Sequence, residues 1–188
     1  LPEGEYVPLP KFTYNIREFV EIILTEDDLL STKIVLITPP PINIPDPFPE
    51  DEDEYDFLSP AAAAALKSSR KDPKEDQGYK TYMSKKRYAE KIMEIAQSYE
   101  DTGRVVGFDY WKSLVDKGLE DQGRHGDDDA YDEERLPGCG LKRAKEFGKG
   151  YFTDGLHLGA RGYDVLSTGL LELVLKKWPE LEPEKIEV

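Results

Sequence analysis

Residues 33–38 read KIVLIT and run straight into three prolines. Ile34, Val35, Leu36 and Ile37 send apolar side chains to both faces of an extended strand. Such a run is stable as a buried strand of parallel type, covered by helices on both faces and flanked by other strands. Pro39, Pro40 and Pro41 end the run. One neighbour can be the second short apolar stretch, RVVGFD at 104–109.

Helical periodicity surrounds these two strands. KFTYNIREFVEIIL places Phe12, Ile16, Phe19, Val20, Ile23 and Leu24 on one face. RYAEKIMEIAQSYE does the same for Ala89, Ile92, Ala96 and Tyr99. YWKSLVDKG reads as a helix that Gly118 stops. A last helix turns Tyr163, Leu166, Leu170, Leu173 and Val174 inward and ends before Pro179. Strands alternating with helices predict an α/β fold with a parallel sheet. Two strands are too few to cover KIVLIT on both sides. The element count therefore reads as a three-layered, doubly wound fold that is N-terminally incomplete, with an open edge along 33–38 through which the chain is expected to self-associate.

The chain has 188 residues, the size of one domain, and 1–188 is read as a single, partial one. Two acidic stretches interrupt the pattern, 42–77 and 119–149, and are expected to be partly disordered insertions. The first packs six acids between Glu50 and Asp56, and the second contains GDDDAYDEE. PAAAAALKSS, within the first, is expected to form a short helix, because Pro60 can open one and alanine favours it. A net charge of -14 argues against nucleic acid and anionic membranes as partners. No apolar run reaches the roughly 18 residues of a transmembrane helix, and no signal segment opens the sequence. The single cysteine, Cys139, cannot form an intramolecular disulfide and fits a reducing, cytoplasmic setting.

One segment carries chemistry: YFTDGLHLGARGYDVLSTGL, Tyr151 to Leu170. A histidine that acts as a general base needs a group that fixes its tautomer and stabilises the imidazolium. Asp154, three residues before His157 across a turn at Gly155, can reach Nδ1–H and leave Nε2 outward. A helix beginning near Gly159 would favour the neutral imidazole through its dipole. The same D-x-x-H spacing also describes a helix cap or a solvated histidine.

The other candidates read as structure. His125 lies among carboxylates in GRHGDDDAYDEE, but Tyr131 and Asp132 fall where a calcium loop needs a ligand and a glycine, so no metal is expected. Cys139 has no histidine near it in sequence and reads as a loop cysteine. Asp109 reads as the cap of the next helix, and Trp111 as core or a pocket wall. Gly148, Gly150 and Gly155 make no dinucleotide fingerprint, so no cofactor is indicated.

LITPPP, RYAEKIMEIAQ, VVGFDYWKSL and YFTDGLHLGARGYDVLSTGLLELVLKKWPELEPEKI follow one another as in the SGNH (GDSL-type) hydrolases. Within that family the sequence resembles the branch of isoamyl-acetate-hydrolysing esterases, over nearly the whole chain outside the acidic stretches. TDGLHL followed by GARGY is the most specific part. The resemblance implies a flavodoxin-like fold and hydrolysis of a small carboxylic ester by a Ser-His-Asp triad without a cofactor, with Asp154 as the acid and His157 as the base. It also implies a nucleophilic serine in a Gly-Asp-Ser motif, with glycine and asparagine oxyanion donors, all before the helix that VPLPKFTYNIREFV resembles. The sequence has no Gly-Asp-Ser. Asn15 and Asn43 lack the context of the asparagine motif, and Ser59, Ser113 and Ser167 lack that of a nucleophile turn. The expectation is thus the base half of an ester hydrolase, with the nucleophile in residues preceding Leu1. The alternative is a catalytically inactive remnant or gene-model fragment, an acidic interaction module.

Overall fold

The computed structural model of the protein describes residues 7–45, 59 and 73–185. The acidic run 50–56 and the whole of the alanine-rich helix expected at 60–69 lie outside the described residues. Those residues form a mixed α/β structure of four α-helices and a two-stranded parallel sheet. In chain order the elements are α1 (Leu9–Thr25), β1 (Ile34–Ile37), α2 (Gln77–Ser98), β2 (Val105–Phe108), α3 (Tyr110–Asp121) and α4 (Ala160–Lys177). The chain divides into two compact units, one of residues 1–40, 85–114 and 164–188, the other of 41–84 and 115–163.

The first unit holds the sheet. β1 and β2 run parallel, with Ile34 opposite Val105 and Ile37 opposite Phe108. Side chains alternate between faces. Ile34, Leu36 and Val105 share one face, where they pack with Val20, Ile23 and Leu24 of α1. Burying Val20, Ile34 and Val105 stabilises the unit by about 1.5–3 kcal/mol per side chain. Gly107 also faces this side, and a Cβ there would meet Ala96 and Met93 of α2 at 2.9 Å. The absence of a side chain lets α2 lie close to the sheet. On the opposite face, a Cβ on Gly169 of α4 would meet the Phe108 ring at 2.8 Å. Helices thus pack on both faces of the strand pair.

The edges are different. Ile34 N–H donates to the Arg104 carbonyl at 2.8 Å, and Thr38 N–H donates to that of Phe108 at 3.1 Å. In a parallel pair alternate residues point toward the partner. The backbone groups of Val35 and Ile37 therefore point away from β2, toward a side where no strand lies among the described residues. Ile37 is 41% exposed.

Arg104 fixes the way α1 returns to the sheet. Its Nη1 donates to the Leu24 carbonyl at 3.1 Å, its Nη2 to those of Ile23 at 3.0 Å and Leu29 at 2.6 Å, and its Nε to Thr32 at 3.0 Å. A cation is thereby placed on the last carbonyls of a helix, where the backbone dipole favours positive charge. Asp109 caps α3 by accepting the Lys112 N–H at 3.0 Å. The buried Thr38 hydroxyl donates weakly to Asp109 at 3.4 Å and accepts the Trp111 N–H at 2.8 Å. Trp111 itself is buried.

Three elements depart from the periodicity. Phe19 is 60% exposed rather than inward, while Val20 takes the core position beside it. Tyr163 of α4 is likewise exposed, and its neighbours Leu166, Leu170, Leu173 and Val174 are half-buried. Gly118 does not stop α3. The helix runs on to Asp121 and ends at Gly123, whose φ is 66°. There Gly123 N–H donates to Glu120 and Arg124 N–H to Leu119, the double bond pattern that closes a helix on a left-handed glycine.

In the second unit the core gathers where an acidic insertion is expected. Ala130, Leu136, Cys139, Leu141, Ala144 and Phe147, all within 119–149, are buried. Tyr82 joins them, and its hydroxyl donates to the Pro137 carbonyl at 3.0 Å. The acids of this stretch stay outside: Asp127 and Asp128 are exposed.

Candidate functional site

Asp154 and His157 occupy the loop between the buried Tyr151 and the start of α4. A bridge between Phe152 and Leu158 closes the loop at its base. Inside it the Thr153 N–H donates to the His157 carbonyl at 2.8 Å. Gly155 stands at the bend with φ of 82°, a left-handed conformation that glycine adopts without steric cost. The chain therefore folds back sharply between the acid and the base.

The carboxylate of Asp154 is fully engaged. Oδ1 accepts the backbone N–H of His157 at 2.8 Å and that of Leu156 at 3.0 Å. Oδ2 lies 2.7 Å from His157 Nδ1. The His157 backbone N–H, then its ring, then the Leu156 N–H hold the Asp154 carboxyl down to about 2. An ionised carboxylate can only accept, so in the neutral imidazole the shared hydrogen sits on Nδ1. Nε2 is then the proton acceptor. The His157 side chain is 73% exposed, and Nε2 has no partner among the described residues. This arrangement can take a proton from a group brought to Nε2 and can stabilise the imidazolium that results. Asp154 does not cap α4, which begins six residues later at Ala160.

The glycines of GARGY hold the far end of the loop. A Cβ on Gly162 would sit 2.6 Å from the Tyr151 carbonyl oxygen, and one on Gly159 would collide with that of Gly150. With only hydrogens there, Gly159 N–H donates to the Tyr151 carbonyl at 2.8 Å and Arg161 N–H to that of Gly150 at 3.0 Å. The Arg161 guanidinium lies over the Tyr151 ring, 4.4 Å from its centroid, and pairs with Asp121 at 2.8 Å.

Asn43 is the contact that spacing did not reveal. Its N–H donates to the Gly155 carbonyl at 2.8 Å, although the two residues are far apart in sequence.

Ser113 donates to the Asp109 carbonyl at 2.9 Å and Ser167 to that of Asp164 at 3.3 Å, each within its own chain turn. Ser59 is exposed, and Asn15 lies half-buried on α1. His125 is exposed, and the described residues contain no group of ligands able to hold a metal ion. Cys139 is buried, and desolvation pushes its thiol pKa up, away from the reactive thiolate. Among the described residues no helix is long and apolar enough to cross a membrane.

Compared with protein-family models and with curated proteins, the sequence matches none.

Proposed function

We propose that Asp154 and His157 are the acid and base of a Ser-His-Asp carboxylic ester hydrolase of the SGNH type. The observation that carries this reading is the 2.7 Å contact between Asp154 Oδ2 and His157 Nδ1 with Nε2 left accessible. The likeness of TDGLHL and GARGY to the family's motif supports it. The parallel strand pair with helices on both faces suits the three-layer, flavodoxin-like arrangement that the family implies.

In this reading the nucleophile is a serine outside the 188 residues. Its hydroxyl proton passes to His157 Nε2 as Oγ attacks the ester carbonyl. The imidazolium then returns that proton to the leaving alcohol, and an acyl-serine remains. Water loses a proton to Nε2 as it attacks the acyl carbon, the acyl–Oγ bond breaks, and the imidazolium returns the proton to Oγ as the acid leaves. Asp154 holds the imidazole in its Nδ1–H tautomer throughout, and no cofactor takes part. The partner is a small ester. The free edge of β1 is where the isolated chain would self-associate.

Expressing the chain with the codons that lie in frame before Leu1 tests the reading. Expected is a Gly-Asp-Ser motif there, and p-nitrophenyl acetate hydrolysis that His157→Ala abolishes and a serine-directed phosphonate blocks. A stop codon or unrelated sequence in that place, or hydrolysis indifferent to both treatments, overturns it in favour of an inactive remnant.

A further inference from the structure

We infer that Asn43 is a positioning residue for the Asp154–His157 pair. The inference rests on the functional reading above and extends it to a residue distant in sequence. Asn43 touches the dyad loop at its bend and ties that bend to a second segment. Its backbone N–H donates to the Gly155 carbonyl at 2.8 Å. Its own carbonyl oxygen lies 2.5 Å from where a Cβ on Gly155 would sit. Its side-chain Oδ1 accepts the Phe147 N–H at 2.8 Å. All these residues belong to the second unit.

Each end of this tie is anchored. Pro41 is fully buried two residues before Asn43. Ile44, the next residue, donates its N–H to the Gly138 carbonyl at 2.9 Å and bridges to Cys139. Phe147 is buried, and its ring centroid lies 5.2 Å from that of Phe152, at the base of the dyad loop. Asn43 thus fixes the Gly155 carbonyl from one side while Phe147 holds Asn43 from the other. Gly155 separates the acid from the base by one residue on one side and two on the other. A rotation of its peptide tilts the Leu156 and His157 N–H groups that orient the Asp154 carboxylate.

The side chain and the backbone of Asn43 have separable roles. Substitution cannot remove the backbone donor, apart from proline. It can remove the amide oxygen that locks the residue to Phe147. Alanine leaves the Phe147 N–H without an acceptor. Aspartate keeps an oxygen at the same reach, while it exchanges the amide nitrogen for a second oxygen and adds a negative charge. The proposal therefore requires the two substitutions to differ.

The test is the tautomer of His157 in the full 188-residue chain, read from imidazole nitrogen shifts by long-range proton–nitrogen correlation. Only His125 and His157 contribute, and His125→Gln assigns them. In the wild type His157 is expected to show Nδ1 protonated and Nε2 unprotonated. Asp154→Asn is expected to abolish that pattern in favour of the Nε2–H tautomer that free imidazole side chains prefer in water. Asn43→Ala is expected to shift it in the same direction, and Asn43→Asp to restore the wild-type pattern. If Asn43→Ala does not fold, Asn43→Ser replaces it, since serine is too short to reach Phe147. A wild-type pattern in the alanine or serine variant, with loss of the pattern in Asp154→Asn, overturns the role of Asn43 and leaves the dyad intact. A pattern unchanged in Asp154→Asn overturns the dyad itself.

Discussion

The Phe147 ring fills the space that a side chain on residue 118 would need. A Cβ on Gly118 would come within 2.9 Å of Phe147 Cε1 and of Pro137 Cβ, and both residues are buried. In an exposed helix, exchanging glycine for alanine gains about 1 kcal/mol. Overpacking a filled core costs about 1–3 kcal/mol. The second effect is the larger here, because neither ring can swing away. Gly118→Ala is expected to lower the urea midpoint and to shift the aromatic resonances of Phe147. A raised midpoint would mean that helix propensity decides.

Arg104 supports four carbonyls with one guanidinium, and two of them, Ile23 and Leu24, end α1. Charge-assisted bonds contribute about 1.5–3 kcal/mol each, and their contributions do not add fully when one side chain makes them all. Arg104→Met keeps much of the stem and removes the donors. It is expected to cost about 2–4 kcal/mol, measured by denaturant unfolding, and to speed hydrogen exchange in the last turn of α1. A cost below about 1 kcal/mol would show that water replaces the guanidinium on these carbonyls.

The Asp154 carboxyl is held down to about 2 in the folded chain, against an ordinary value of 3.8. A depressed carboxylate pKa stabilises the fold above the unfolded value, and that stabilisation is lost as pH falls through the folded value. The support that the carboxylate gives the dyad turn is therefore expected to fall away progressively as pH drops from about 4 to below 2, with the Asp154 titration itself centred near 2. The carboxyl carbon shift of Asp154 follows this directly. A midpoint near 4 would mean that the backbone N–H groups of Leu156 and His157 do not bind it in solution.

Hydrogen exchange on β1 should alternate. The amides of Ile34 and Thr38 donate to β2, and that of Leu36 points the same way. Those of Val35 and Ile37 point toward the side on which no strand lies among the described residues. Expected in a monomeric sample is slow exchange at 34, 36 and 38 and fast exchange at 35 and 37. Protection at all five positions in such a sample would mean that the edge is covered. Protection that grows with protein concentration would mean that copies of the chain cover it for one another.

Both strands and all four described helices could be anticipated, the strands from short apolar runs, three helices from apolar residues at helical steps and α3 from a run ahead of a glycine. The deviations have physical causes. The start of α2 at Gln77 was not legible. Its first turns, GYKTYMSKK, bury one large side chain, Tyr82, and one residue defines no period. Gly118 carried the signal of a helix stop, but its meaning depended on Phe147, 29 residues away. The composition of 119–149 obscured its core. Leu136, Cys139, Leu141 and Phe147 are spaced by turns rather than by a regular element, and acids surround them. In the site, the local pair was legible because three residues and a glycine turn determine it. Asn43 was not, because its backbone bond to Gly155 and its side-chain bond to Phe147 reach residues more than a hundred positions away, which no spacing rule records.

The nearness of Asp154 to His157 in the chain bears on how the pair recovers after disturbance. Closing a loop of three residues costs far less entropy than bringing together groups from distant strands. The carboxylate is therefore presented to the imidazole at a high effective concentration by its own tether. Transient fraying of α4 or of the sheet leaves that tether whole. The acid and base should re-pair on the timescale of a loop motion, without waiting for the rest of the fold to reassemble.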